Sequence, residues 1–160
     1  MNIADTAVRN QILVFTIGES QYALNLDVVE RVIRAVGITP LTNSPEIVLG
    51  IINVRGQIVT VVDICKRFQL PPHKLDINDR FIIAKTSRRQ VAVIADSVKG
   101  IQELKEKDIV HSESVIPSSK YVKGVAKIEG NLLLIYDLEK FLSLDEEKQL
   151  EKSIGESGLK

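Results

Sequence analysis

The sequence predicts a mainly β protein built from two related halves, and two observations support this. The first is a repeat: residues 50–68 and 124–142 align without a gap at a displacement of 74 residues, with four identities and nine pairs of apolar residues. The second is composition, because Val and Ile dominate the apolar segments while aromatic residues make up only 4% and Trp is absent. This composition favours barrels or sandwiches of short strands over helical bundles.

Each copy of the repeat has the pattern of a strand, a tight turn and a second strand that ends at an Asp. We predict hairpin tips at 55–57 and 129–131, because the glycine in each adopts positive φ without a steric penalty. Asp63 and Asp137 each precede a short segment with helical spacing. Their matching places favour two helix caps over a pair of catalytic carboxylates.

A further hairpin precedes each copy. Segments 13–26 and 80–95 align at a displacement of 69 residues, and their polar loops are predicted at 18–21 and 86–89. The change of displacement from 69 to 74 residues implies about five extra residues in the second half. We place that insertion in the polar stretch 105–119.

The segments outside the hairpins have weaker patterns. Val28 to Ile33 has apolar residues at helical spacing, which predicts a turn or two of helix with Glu30, Arg31 and Arg34 outward. The two prolines in 39–45 predict an extended loop.

The two ends of the chain differ in character. Residues 1–10 are expected to form an N-terminal tail, because most of this stretch has no clear periodicity. Apolar residues spaced amid charge from Leu138 to about Ile154 predict a C-terminal helix, and residues 144–160 are assigned to that helix and its tail.

Composition limits the classes of function. Apolar residues make up 44% of the chain, enough for a core, and 21 acidic residues balance 21 basic ones, so nothing points to a polyanion partner. No apolar run approaches the ~20 residues of a membrane span, and the N-terminus lacks the pattern of a signal peptide. The single Cys65 cannot form an internal disulfide, so a cytosolic protein is expected.

A search for catalytic or metal-binding motifs finds little. His73 and His111 lack a His, Cys or carboxylate at metal-ligand spacing, so both are expected to be solvated loop residues. Cys65 has no matching base and is interpreted as a small buried hydrophobe. The pair at 88–89 is basic but has no interleaved aromatic residues, and no phosphate-binding glycine motif occurs. No cofactor, metal or enzymatic activity is predicted.

The residues nevertheless resemble one family. The run TNSPEIVLGIINVRGQIVTVVDI, 42–64, resembles the signature of the CheW family of bacterial chemotaxis adaptors. Segment 15–24 is similar to that family's opening hairpin and 124–142 to its last. The resemblance covers about residues 11–143 and is most specific in the Asn-Val-Arg-Gly stretch at 53–56.

This resemblance implies a fold and a role. The fold would be one domain over 11–143, with two intertwined SH3-like five-stranded β-barrels at about 11–75 and 80–143 that share a hydrophobic interface. Family members bind the regulatory domain of the histidine kinase CheA and the cytoplasmic tips of chemoreceptors, and they have no catalytic activity. The resemblance implies a cytoplasmic protein recruited to membrane-associated receptor arrays, without nucleic-acid binding or membrane insertion.

The resemblance also assigns surfaces. The receptor tip would lie in a groove between the barrels, which here means Val29, Arg31, Val32, Ile33, Asn53 and Arg55, with Val98 and Ile101 from the second half. Core packing explains Val29, Val32 and Val98 equally well. The kinase-facing surface would comprise Thr39, Pro40, Leu41, Asn43 and Gly56, although Leu41 equally suits a loop packed on its own barrel. A contact in kinase-adaptor rings would involve Val115 and Ile116.

Two departures from the family pattern affect receptor choice. Arg31 stands where many members have Glu, so repulsion between Arg31 and Arg55 is expected unless Glu30 or Glu46 compensates. Thr60 replaces a usual Pro, which frees a backbone amide without changing the fold.

Three functions therefore remain open. The favoured one is an adaptor that couples chemoreceptors to CheA. The second is an adaptor of the same fold in another receptor-kinase pathway, such as surface motility. The third is a small barrel that binds RNA or a metabolite, or a hydrolase with an unrecognised site, although the neutral charge and few aromatic residues disfavour RNA.

Overall fold

Ten strands and two helices make up the computed structural model, which describes residues 10–110 and 120–158. The strands are β1 (Gln11–Ile17), β2 (Ser20–Asn25), β3 (Val29–Arg34), β4 (Val48–Val54), β5 (Gln57–Val62), β6 (Arg80–Lys85), β7 (Gln90–Ala95), β8 (Ser97–Glu103), β9 (Val122–Ile128) and β10 (Asn131–Tyr136). The helices are α1 (Ile64–Arg67) and α2 (Leu144–Glu156). Short 3₁₀ turns occupy Leu26–Val28, Glu106–Asp108 and Leu138–Lys140.

The strands form two five-stranded sheets of the same topology. Sheet 1 has the order β8-β1-β2-β10-β9, and sheet 2 has the order β3-β6-β7-β5-β4. One parallel pair occurs in each, β10 with β2 and β5 with β7, and the other pairs are antiparallel. Each half of the chain gives its first hairpin to one sheet and its last three strands to the other. The sheets therefore do not follow the expected division into 11–75 and 80–143.

Strand pairing does not close either sheet. In the part of the chain that the structure describes, β8 and β9 are the edges of sheet 1, and β3 and β4 are the edges of sheet 2. The loops after β3 and β8 contribute only single-residue bridges, Thr39 to Ile51 of β4 and Ile109 to Ala126 of β9. The mainly β class with five strands a sheet and a C-terminal helix is confirmed, whereas the sheets are not the closed barrels that we expected.

Among the described residues, three apolar clusters form the core, because alternate residues of each strand face opposite sides of a sheet. Leu13 and Phe15 of β1 join a shared core with residues of both sheets, including Val62, Val93 and Tyr136. The outer face of sheet 1 buries a second cluster: Ile12, Val14, Ala23, Leu104, Ala126, Leu133 and Ile135. The outer face of sheet 2 buries a third: Ile52, Val59, Val61, Phe81, Ile83 and Ala92. Burial on both faces explains the nearly continuous apolar strands.

Aromatic rings concentrate in the shared core. Six of the seven aromatic rings in the protein contact one another in a continuous series from Phe15 to Phe141. The centroids of the Phe68 and Tyr136 rings are 4.5 Å apart. Burial, with a smaller contribution from Tyr22, raises the pKa of Tyr136 to about 12. The Tyr136 hydroxyl therefore stays protonated throughout the physiological range.

The turns and caps predicted from the repeat are confirmed. Arg55 and Gly56 have φ of 52° and 84°, and Glu129 and Gly130 have φ of 52° and 82°. Positive φ at both central residues is the backbone of a type I′ hairpin turn. The Asp63 carboxylate accepts a hydrogen bond from the Lys66 amide at 3.3 Å, and that of Asp137 accepts one from the Glu139 amide at 3.1 Å. The two halves thus repeat their caps as well as their strands.

Two predicted helices need correction. The segment from Val28 to Ile33 is mostly strand β3, in which half-buried and exposed residues alternate, so its period is two and not 3.6. The C-terminal helix begins at Leu144 and not at Leu138, because Ser143 and Glu146 form a capping box there.

The expected insertion lies between β8 and β9. That connection spans 104–121, five residues more than the connection 35–47 between β3 and β4. Residues 111–119, which include Val115 and Ile116 of the expected ring contact, lie outside the described residues. Within the described ranges, no helix is both long and apolar enough to cross a membrane.

Candidate functional site

Edge strand β3 contains four of the residues expected to contact a receptor. Val29 packs partly against the shared core and Ile33 against the sheet 2 core. Arg31 is partly exposed, and the Val32 side chain is 39% exposed. Glu30 accepts a hydrogen bond from the Gln90 side chain at 2.9 Å, so its carboxylate is held toward β7. Of the apolar residues, Val32 is the one most available to a partner.

Edge strand β8 occupies the equivalent place in sheet 1. Val98 packs partly against the shared core, whereas Ile101 is 57% exposed. A groove of about 370 Å³ lies beside Ile101, with Leu132 and Leu133 of β10 on its other side. The groove follows from the open sheet, because no strand described here pairs with the outer edge of β8.

The turn between β4 and β5 presents an exposed arginine. The Asn53 side-chain oxygen accepts a hydrogen bond from the Gly56 amide at 2.8 Å and so fixes the turn. Arg55 is exposed at the tip, and it forms no ion pair with any residue that the structure describes. Its guanidinium is therefore free to pair with a carboxylate of another protein.

The loop 39–45 is held by hydrogen bonds to β4 on one side and to α2 on the other. Thr39 exchanges two backbone hydrogen bonds with Ile51, at 2.9 and 2.8 Å, while Leu41 packs partly against the shared core. On the other side, the Gln149 side chain donates to the Asn43 carbonyl at 3.0 Å, and the Ser153 hydroxyl donates to the Thr42 carbonyl at 2.6 Å. Both donors belong to α2. Pro40, at the start of this loop, and Gly56, at the β4–β5 turn, are exposed.

Ion pairs hold α2 against both halves. The Arg67 guanidinium donates to both carboxylate oxygens of Glu146, at 2.9 and 2.7 Å. Arg89, the residue before β7, contacts Glu147 at 2.8 Å and Glu151 at 2.9 Å. Burial alone would raise the pKa of Glu146, but hydrogen bonds from the Ser143 backbone and from Arg67 outweigh it, so that pKa is lowered. Sequence reasoning missed the role of α2 in supporting the loop 39–45, because the partners are far apart in the chain.

The prediction of a solvated His73 is wrong. Its side chain is 22% exposed, with Nε2 2.8 Å from Asp79 Oδ2 and Nδ1 3.0 Å from Asp96 Oδ1. Cys65 is buried nearby, and burial followed by the charge of Asp63 raises the pKa of its thiol. A buried, protonated thiol is unreactive, as expected for a small hydrophobe. His111 lies outside the described residues.

The predicted site residues that the structure describes thus fall at four places: β3, β8, the 53–56 turn and the loop 39–45. The receptor-facing set occupies edge strands of both sheets and the 53–56 turn, and the kinase-facing set occupies the loop 39–45 and Gly56 of that turn. The turn is common to both sets. Exposed apolar residues and an exposed arginine suit contact with a protein rather than chemistry on a small molecule.

Comparison with known proteins identifies relatives of the whole described domain. The family described as CheW-like domain matches residues 11–146. The chemotaxis protein CheW of Thermotoga maritima is 29% identical over 140 residues, which cover 88% of this chain and 92% of that protein. The chemotaxis protein CheW of Klebsiella aerogenes is 26% identical over 146 residues, which cover 90% and 88% of the two chains.

A solved structure agrees with these relatives. The chain superposes on the crystal structure of the scaffolding protein TtCheW from Thermoanaerobacter tengcongensis with a TM-score of 0.77 and 28% identity. The superposition covers 86% of this chain and 95% of that one. The likeness therefore includes both sheets and not one hairpin alone.

Proposed function

The chain belongs to the CheW family and is a chemotaxis adaptor, and from this premise we propose that it joins the regulatory domain of the kinase CheA to the cytoplasmic tips of chemoreceptors. The match of the CheW-like domain over residues 11–146 carries the proposal, because that range contains every proposed contact residue. The adaptor would work in the cytoplasm and be recruited to membrane-associated arrays.

The adaptor acts by binding and has no catalytic role. In the described part of the chain, the one thiol is buried with a raised pKa, and both nitrogens of His73 face carboxylates. Neither side chain therefore offers an activated nucleophile or a free general base. No cofactor takes part in this coupling.

The receptor surface comprises β3, β8 and the β4–β5 turn. Val32 and Ile101 supply exposed apolar area, while Val29, Ile33 and Val98 anchor the same strands in the core. Asn53 holds the turn in place, Arg31 lies partly exposed on β3, and Arg55 adds a free positive charge. An amphipathic receptor helix with an apolar stripe and a carboxylate fits this combination.

The kinase surface comprises Thr39, Pro40, Leu41, Asn43 and Gly56. The hydrogen bonds to Ile51 and to α2 hold the loop in one conformation before a partner arrives. A prearranged loop loses less conformational entropy on binding, which favours affinity from a small interface. Val115 and Ile116 are assigned to the contact between neighbouring kinase-adaptor units.

Reversing the charge of Arg55 is predicted to weaken receptor binding at least tenfold. In Arg55→Glu the exposed cation becomes an anion at the same turn, and a charge-assisted contact worth about 1.5–3 kcal/mol is lost. Co-sedimentation with a receptor cytoplasmic fragment would measure the effect, and wild type must sediment with the fragment for the proposal to hold. The melting temperature should stay within about 3 °C of wild type, because the site is exposed.

Arg88→Glu provides the matched control. Arg88 is exposed in the turn between β6 and β7, outside both proposed surfaces, so the substitution makes the same charge reversal at another hairpin turn. Receptor binding should be unchanged in this variant. Equal losses in both variants would contradict the assignment of Arg55 to the receptor surface.

A further inference from the structure

We propose that His73, Asp79 and Asp96 form a binding site for a divalent transition-metal ion of the zinc type. One ligand atom from each residue lies within 4.8 Å of those of the other two. The residues come from three places: the connection between α1 and β6, the residue before β6, and the residue between β7 and β8. The site lies outside the surfaces proposed for receptor and kinase, and nothing in the adaptor role requires it.

The imidazole arrangement calls for a cation. Both ring nitrogens of His73 face carboxylate oxygens, at 2.8 Å for Asp79 and 3.0 Å for Asp96. A neutral imidazole carries one N–H, so one of its nitrogens presents a lone pair to a carboxylate. Among the residues that the structure describes, neither Asp79 nor Asp96 forms an ion pair with a lysine or arginine. A divalent ion would compensate both carboxylates.

Burial and backbone contacts orient the two carboxylates toward this point. Asp79 is only 3% exposed, and its Oδ2 also accepts the Asp76 amide at 2.8 Å. Asp96 Oδ2 accepts the Gly18 amide at 2.5 Å, whereas Asp96 Oδ1 is buried and receives no hydrogen bond. His73 Nδ1 lies 3.0 Å from this oxygen, but the contact is not aligned as a hydrogen bond, and coordination to a metal would satisfy the buried oxygen. Backbone donors that orient carboxylate ligands are typical of the surroundings of metal sites.

The donor set and its dimensions suit zinc. Imidazole nitrogen and carboxylate oxygen both bind zinc at about 2.0–2.2 Å, which places ligand atoms of a tetrahedral site roughly 3.3–3.6 Å apart. A single ion binds one ring nitrogen of His73, so the relevant separations are those among one ligand atom from each residue, and these are all within 4.8 Å. Small side-chain shifts would therefore bring the three ligands around one ion, and water would complete the coordination.

Metal binding would link the two sheets. Asp79 leads into β6 of sheet 2, while Gly18, which donates to Asp96, lies in the β1–β2 turn of sheet 1. The connection that carries His73 would be fixed to both. A ligand that binds the folded chain alone stabilises it, so zinc should raise the melting temperature.

Titration of the metal-free full chain with Zn²⁺ tests the proposal. We expect one ion per chain by calorimetry, a rise of several degrees in melting temperature at saturation, and at least a tenfold weaker affinity in His73→Gln and in Asp96→Asn. His111→Gln and Cys65→Ala are the controls, and neither should change the affinity. Co²⁺ bound to the wild-type chain should give visible absorption bands that are absent in His73→Gln.

Three results would overturn the metal site. The first is no stoichiometric Zn²⁺ binding by the wild-type chain. The second is binding that persists in His73→Gln but is lost in Cys65→Ala or His111→Gln, since a different ligand would then hold the ion. The third is stability that depends on pH through His73 and is unaffected by Zn²⁺, which would show that a proton and not a metal compensates the carboxylates.

Discussion

Replacing Gly50 by alanine is expected to lower the melting temperature by about 6–12 °C, from a loss of about 3 kcal/mol in the free energy of unfolding. Gly50 has φ of 150°, which side chains rarely adopt, and an added Cβ would lie 2.3 Å from the Thr39 carbonyl oxygen. That oxygen accepts the Ile51 amide at 2.8 Å, so it cannot move away without losing a hydrogen bond. Thermal unfolding followed by circular dichroism would measure the loss.

Gly124→Ala is the matched control, because Gly124 holds the same place in the second copy of the repeat. An added Cβ there would meet no atom within 4 Å. We expect a change of less than about 1 kcal/mol in this variant. A similar loss in both variants would contradict the account, since it would show that the close approach of the loop 39–45 to β4 is not what requires Gly50.

Truncating Leu150 is expected to cost about 2–5 kcal/mol, the usual range for a buried leucine. Leu150 is a fully buried residue of α2 in the shared core, which contains residues of both sheets. In Leu150→Ala the helix loosens, and the hydrogen bonds from α2 to Thr42 and Asn43 weaken with it. Urea unfolding would report the loss of stability, and kinase binding should also weaken, because the loop 39–45 loses its support.

Leu144→Ala is the control on the same helix. Leu144 is 62% exposed, so its truncation removes little buried area and should leave the unfolding midpoint nearly unchanged. If Leu150→Ala unfolds at the same urea concentration as Leu144→Ala, α2 does not stabilise the fold in the way that its burial indicates.

Local signals in the sequence predicted much of the fold. Gly56 and Gly130 mark turns because positive φ favours glycine, and Asp63 and Asp137 mark caps because a carboxylate accepts free amides. These requirements act within a few residues and can be read without knowing the fold. Apolar residues at positions 28, 29, 32 and 33 match the spacing of a helix. The segment from Val28 to Ile33 is nevertheless mostly strand, because β6 supplies a partner for strand pairing.

Long-range arrangements could not be predicted in this way. A repeat shows that two halves of a chain are alike. It does not show that the first hairpin of each half joins the sheet formed by the last three strands of the other half. The His73 cluster joins residues 6 and 23 positions apart on separate elements, so no ligand spacing reveals it. The support of Asn43 by Gln149 likewise spans 106 residues. Only the folded chain brings these side chains together.

Titration calorimetry of the chain with the regulatory domain of its cognate CheA tests the proposed coupling most directly. We predict one-to-one binding with a Kd of about 1 μM, because interfaces of modest area without strong charge steering commonly have this affinity. Circular dichroism of the same samples would establish that both proteins are folded. Absence of heat, together with failure of the folded chain to retain the kinase domain in a pull-down, would contradict the adaptor role.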